Sequence, residues 1–200
     1  IRINVTGQAP GDFLIGFPYV YGSDILRCTA YNESYVFPVN LDVPLEDRVG
    51  FYGVKINFPN GAPNIFTVLF VLSNDLIAHA ATDQYILNFP AFPSLTQSVA
   101  TCNASIVLPG GAIYFSGTVG GFNYSSQNLP AFTYNTSQVT FSLSDDKMPV
   151  VDFEELASEI RLNEFGELQA SDTYRVTNKA QLNLGFIEVM LPPNGSNPTA

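Results

Sequence analysis

His79 is the only histidine in the 200 residues, and Cys28 and Cys102 are the only cysteines. A Ser-His-Asp or Cys-His machine would have to be built around His79, but the stretch "LIAHAAT" carries no nucleophile motif and no G-x-S-x-G occurs anywhere. Transition-metal sites need clustered His or Cys ligands, which the sequence lacks. The glycines of "LPGGA" and "VGGF" are turn glycines, with no following Lys and helix to cradle a phosphate. Hard cations remain conceivable, because nine of the eighteen acidic residues fall between Asp145 and Asp172. Their spacing does not match a calcium loop, and a solvated helix face with acidic flanks is the plainer reading. A glycosidase needs only two carboxylates, yet carboxylates are sparse outside that stretch and Trp is absent. The chain therefore reads as a non-enzyme with no catalytic residues, no cofactor and no metal.

The residues that do invite chemistry are asparagines. N-x-S/T with x not Pro occurs at Asn4, Asn32, Asn103, Asn123, Asn135 and Asn194, whereas Asn197 is followed by Pro198. Roughly two such sites are expected by chance from this Asn, Ser and Thr content. Only 13% of residues are charged, about half the usual share, so N-linked glycans would supply solvation that charges do not. An extracellular setting follows, and with it a disulfide between Cys28 and Cys102. The net charge of -10 argues against nucleic acid and anionic membranes as partners. No apolar run reaches about 18 residues, so no transmembrane segment is expected, and a signal peptide is expected to have been removed.

The elements that must position these residues are strands. Short β-branched and aromatic runs, such as "DFLIGFPYVYG", "VGFYGVKINF", "IFTVLFVLS" and "QVTFSLS", alternate with breakers such as "PNGAPN" and "LPGG". The expected fold is all-β, an immunoglobulin-like or jelly-roll β-sandwich. One short amphipathic helix is expected in "VVDFEELASEIRLNEFG". There Phe153, Leu156, Ala157 and Ile160 fall at helical spacing, Asp152 and Glu155 resemble a capping box, and Asn163 and Gly166 read as stop signals. The expected organisation is an N-terminal strand tail and linker at 1–10, a sandwich head at 11–191 and a mobile tail at 192–200.

The first six residues alternate Ile1, Ile3 and Val5 with Arg2, Asn4 and Thr6, and "GQAPG" then breaks the pattern. An amphipathic strand set apart in this way suits donation to a neighbouring copy, with Ile1, Ile3 and Val5 filling an apolar groove. "IFTVLFVLS" and "LNLGFIEVML" are the segments expected to line such a groove. Pairing of residues 1–6 within their own subunit would make the donor assignment wrong, and "DFLIGFPYVYG" would become the next candidate. The leading strand, the break, the acidic all-β body and the sequons together resemble archaeal extracellular filament subunits of the thread type, joined by donor strands. Chaperone-usher pilins are similar in architecture, but their aromatic C-terminal pattern is missing from "GSNPTA". The resemblance implies identical subunits joined head to tail in a glycosylated cell-surface appendage, for adhesion or biofilm. An S-layer, adhesin or carbohydrate-binding sandwich of a secreted glycoprotein is the alternative.

Overall fold

The structure, a computed structural model, describes residues 1–6, 11–117, 123–144, 148 and 150–179. The described residues are almost entirely strands, as the alternating apolar pattern requires, and the fold is an all-β sandwich. In chain order these are β1 (Arg2–Asn4), β2 (Asp12–Pro18), β3 (Ile25–Tyr31), β4 (Val36–Phe37), β5 (Val39–Leu45), β6 (Arg48–Asn57), β7 (Ile65–Leu72) and β8 (Ile77–Ala81). There follow β9 (Gln84–Phe92), β10 (Ser94–Leu95), β11 (Val99–Ser105), β12 (Ile113–Gly117), β13 (Asn123–Leu129), β14 (Asn135–Ser142), β15 (Val151–Leu162) and β16 (Leu168–Asn178). Two short 3₁₀ turns, Tyr19–Asp24 and Asn74–Leu76, are the helical elements among the described residues.

The chain divides into two compact units, Ile1–Ser142 and Leu143–Ala200. That boundary falls inside the expected 11–191 head, and residues 1–5 belong to a sheet of the first unit rather than standing apart from it. The expected tail at 192–200 lies outside the described residues.

In the first unit, one four-stranded antiparallel sheet runs β1-β7-β3-β4 and a second runs β10-β2-β6-β5. Their inner faces meet in the main core, with Phe13, Ile15 and Ile56 from the second sheet against Ala30, Phe66 and Val68 from the first. Edge-to-face ring pairs Phe13–Phe66 at 5.3 Å and Phe58–Phe66 at 5.1 Å fix this contact. Close approach inside the second sheet depends on glycine, since a Cβ on Gly53 would strike the backbone carbonyl of Val43. A third sheet, β12-β14-β9-β8, buries Tyr85, Val139 and Phe141. Strands β11 and β13 form a separate two-stranded ribbon.

The second unit corrects the helix expectation. Residues 151–162 are strand β15, paired with β16 in a long hairpin. The register shifts between Phe153 and Glu155, so Glu154 is an extra residue in the ladder. A bulge of this kind lets residues three apart share one face of a strand. Phe153 and Leu156 therefore lie on the same side, and Ile160 and Leu162 follow them by simple alternation, which imitates helical spacing. Ala157, the fourth member of the supposed stripe, falls on the opposite face. The supposed stop signals make the hairpin loop: Asn163 Oδ1 accepts from the backbone N–H groups of Phe165 (3.0 Å) and Glu167 (2.9 Å), and Gly166 adopts φ +81°. The supposed capping residues are spent on cross-strand ion pairs, Asp152 with Lys179 at 2.6 Å and Glu155 with Arg175 at 3.1 Å.

Candidate functional site: the β1 slot and the sequon-bearing surfaces

Strand β1 occupies the open edge of its sheet, beside β7 of its own chain. Arg2 stands opposite Thr67, Ile3 opposite Phe66 and Asn4 opposite Ile65. Ile1 and Val68 exchange two backbone hydrogen bonds of 2.7 Å, and the Val5 N–H donates to the Asn64 carbonyl at 2.8 Å. Ile3 and Val5 pack on the main core beside Phe66, while Arg2, Asn4 and Thr6 are exposed. The alternation expected for residues 1–6 thus appears, with one difference: Ile1 remains 46% exposed.

Two expectations change here. Residues 1–5 pair within their own chain, which counts against a free donor tail in an isolated subunit. The next candidate, "DFLIGFPYVYG", is also unsuited to donation, because β2 lies between β10 and β6 with both edges paired. Of the two segments expected to line a groove, "IFTVLFVLS" supplies β7, the strand that receives β1. "LNLGFIEVML" lies outside the described residues.

The slot has the construction of a separable site. Phe66, 1% exposed, stands beside Ile3 on the neighbouring strand, and the rim is the backbone edge of β7 that β1 pairs. The pairing spans Ile1 to Val5 and no further, and the chain next joins a sheet at Asp12, in the second sheet. Little holds the strand in place beyond main-chain bonds and two aliphatic side chains.

The predicted disulfide is a second correction: Cys28 and Cys102 are free thiols. Cys28 stands opposite Phe70 on β3 and packs on the main core, whereas Cys102 stands opposite Ser126 in the β11–β13 ribbon. The two strands belong to different sheets. Burial pushes the Cys28 thiol up to about 11 and raises Cys102 as well, so both are poor nucleophiles.

Sequon asparagines fall on accessible positions wherever their side chains are described. Asn4 is on the outward face of β1, and Asn103 on the exposed face of β11. Asn32 opens the turn between β3 and β4, where its Oδ1 accepts from the N–H groups of Ser34 (2.9 Å) and Tyr35 (2.8 Å). Asn135 begins β14 and is partly exposed. Asn123 begins β13 opposite Ser105, and Asn103 is opposite Ser125, so the sequons 103–105 and 123–125 lie directly across the ribbon from each other. The Ser125 hydroxyl donates to Asn103 Oδ1 at 2.7 Å. Asn194 lies outside the described residues.

His79 lies on β8 with its ring edge-to-face on Tyr85 at 5.2 Å, as a packing residue would. Among the described residues no group of three His, Cys, Asp or Glu is placed to hold a metal ion. Described acidic residues of the 145–172 stretch are divided between the two faces of the hairpin, with Glu155 and Glu159 on one and Asp172 on the other. No described helix is long and apolar enough to cross a membrane.

No family model and no curated protein matches this chain.

Proposed function

We propose that the chain is a structural subunit of a glycosylated extracellular filament, in which β1 leaves its own sheet and fills the same slot beside β7 of the next copy. The observation that carries this reading is the β1 slot itself. It is an edge position held by few contacts, with Phe66 opposite Ile3 and a β7 backbone edge that would lie open if β1 left it. A strand that closes the slot in its own chain can close an identical slot in a neighbour with the same bonds, which makes exchange cheap. Head-to-tail repetition of such an exchange grows an open filament rather than a closed ring. Asn4 points outward in either arrangement, so a glycan there is compatible with both. The excess of sequons and the low charge support an extracellular glycoprotein.

The competing reading is a secreted adhesin, S-layer or carbohydrate-binding sandwich in which β1 stays at home. Engineered cysteines separate the two. Arg2 and Thr67 are directly opposite and exchange no backbone bonds, the pairing in which side chains come closest. With Cys28 and Cys102 replaced, Arg2→Cys with Thr67→Cys should oxidise into a covalent ladder in native filaments. A single band of monomer mass from the same material would defeat the proposal.

A further inference from the structure

Hairpin β15–β16 has one face of each kind. Phe153, Leu156, Ile160 and Leu162 share a side with Leu168 and Tyr174, while Glu155, Glu159, Arg161 and Arg175 lie on the other. The charged side satisfies itself through Arg175–Glu155 at 3.1 Å and Arg161–Glu159 at 2.9 Å. No described residue of the hairpin's own unit covers the apolar side: Phe153, Leu156, Ile160, Leu162 and Leu168 are 55–73% exposed, and Phe165 at the hairpin tip is 83% exposed. At about 150–200 Å² per side chain, the five on the ladder leave roughly 550 Å² of apolar surface in water, and Phe165 at the tip adds to the exposed apolar area. That lies at the top of the range for the largest patch of a typical monomer, about 300–600 Å², and is about two thirds of the roughly 800 Å² that each partner gives to a standard interface. A two-stranded ribbon is at best marginally stable alone, so this face is an unfinished layer.

We propose that a second copy of this chain finishes it, hairpin packed on hairpin through their apolar faces about a two-fold axis. The chemistry of the face selects a copy over a charged partner. Its one carboxylate, Asp172, is held by the Ser158 hydroxyl at 2.6 Å, with the Tyr174 hydroxyl at 3.4 Å, and the face carries no cation for a partner to read. The opposite side is charge-balanced, with Asp152, Glu155 and Glu159 set against Lys179, Arg175 and Arg161, so the apolar side is the one with area to bury against a copy. Stacked faces give a four-stranded sandwich with the normal spacing of about 10 Å between sheets. The contact is closed and two-fold, whereas exchange of β1 is open and head-to-tail, so neither assembly depends on the other.

The test uses the full chain. Ser158 lies on the apolar face near the middle of β15, and Arg161 on the opposite face. Ser158→Cys, treated with a short bis-maleimide, should give a covalent dimer joined at 158, and Arg161→Cys should not. In sedimentation velocity, Ile160→Lys with Leu168→Lys should weaken association by about 100-fold or more. Ser158→Cys removes the hydroxyl that holds Asp172, so hydrogen exchange of the variant's hairpin amides checks that a negative cross-link does not reflect misfolding. A monomer at about 100 μM whose hairpin amides resist exchange would overturn the proposal in favour of cover by the chain's own residues. A freely exchanging monomer, or burial of the face only against a different protein, would overturn it equally. Filaments that persist when Ile160→Lys with Leu168→Lys abolishes the dimer would show the two contacts to be independent.

Discussion

Two edges of this molecule carry the same alternating code and meet different fates. At the β1–β7 edge, Ile3 and Val5 find Phe66 and the core of the first unit, and their outward neighbours face water. In β15–β16 the apolar side is as consistent, yet Phe153, Leu156 and Ile160 remain more than half exposed. Patterning decides which way a side chain points, and topology decides whether anything lies there. The first edge is therefore a finished contact that could be traded for an equivalent one. The second is an apolar face that no described residue of its own unit covers.

The substitution expected to do most damage is Ile3→Asp with Val5→Asp. Burial of such aliphatic groups stabilises by roughly 1.5–3 kcal/mol each when complete, and a carboxylate forced against Phe66 adds desolvation cost. For these partly buried positions we expect about 2–4 kcal/mol, read as a lower urea midpoint for the first unit, together with loss of filaments in negative-stain images. Full stability in the double mutant would erase the contrast between the two edges, because β1 would then be as unsupported as the hairpin face.

Gly53→Ala sharpens the contrast from inside the first unit. The added methyl meets the Val43 carbonyl, which cannot move without breaking the β5–β6 ladder, so about 1–3 kcal/mol should be lost. In the second unit, Asn163→Ala removes the acceptor for the Phe165 and Glu167 amides and should cost about 1–2 kcal/mol, confined to the hairpin. Hydrogen exchange should show faster opening of β15–β16 with the first unit's transition unchanged. A shift of that transition would mean that the two regions are not energetically separate.

The legibility of the chain follows the same division. Strands such as β2, β6 and β7 can be read directly, because bulky β-branched and aromatic runs bounded by turn residues leave little choice, and the alternation in residues 2–6 appears as patterned, with Ile1 the exception. Nothing in those six residues says whose β7 they will join. The hairpin imitates a helix in sequence because a single extra residue at Glu154 converts a two-residue period into a three-residue step, and Asn163 and Gly166 can end a helix or turn a hairpin. Its exposed apolar side was thereby hidden, since a helix would have turned Phe153, Leu156, Ala157 and Ile160 into a core. Cys28 and Cys102 illustrate a third limit: two cysteines in strand-like runs say nothing about which sheets those strands join.

Cys28 provides the mildest test, and it bears on the first edge alone. Its thiol packs on the same core as Ile3 and Val5, and burial raises it to about 11. An unfolded chain releases that proton near pH 8.5, so between about 8.5 and 11 the folded state holds more protons than the unfolded one. Stability from this source is complete below the unfolded value and declines as pH rises through that window. Tyr21 and Tyr52, also raised chiefly by burial, contribute with the same sign at higher pH. The first unit should therefore lose urea resistance gradually above pH 9, and Cys28→Ser should flatten the early part of that decline. Alkylation by iodoacetamide at pH 7.5 should be slow at Cys28 in the folded protein and rapid in urea. If Cys28 instead reacts as fast as an unfolded thiol while β1 is docked, the core beside the slot is open to solvent. In that case Ile3 and Val5 are not seated as described, and the difference between the finished edge and the unfinished hairpin disappears.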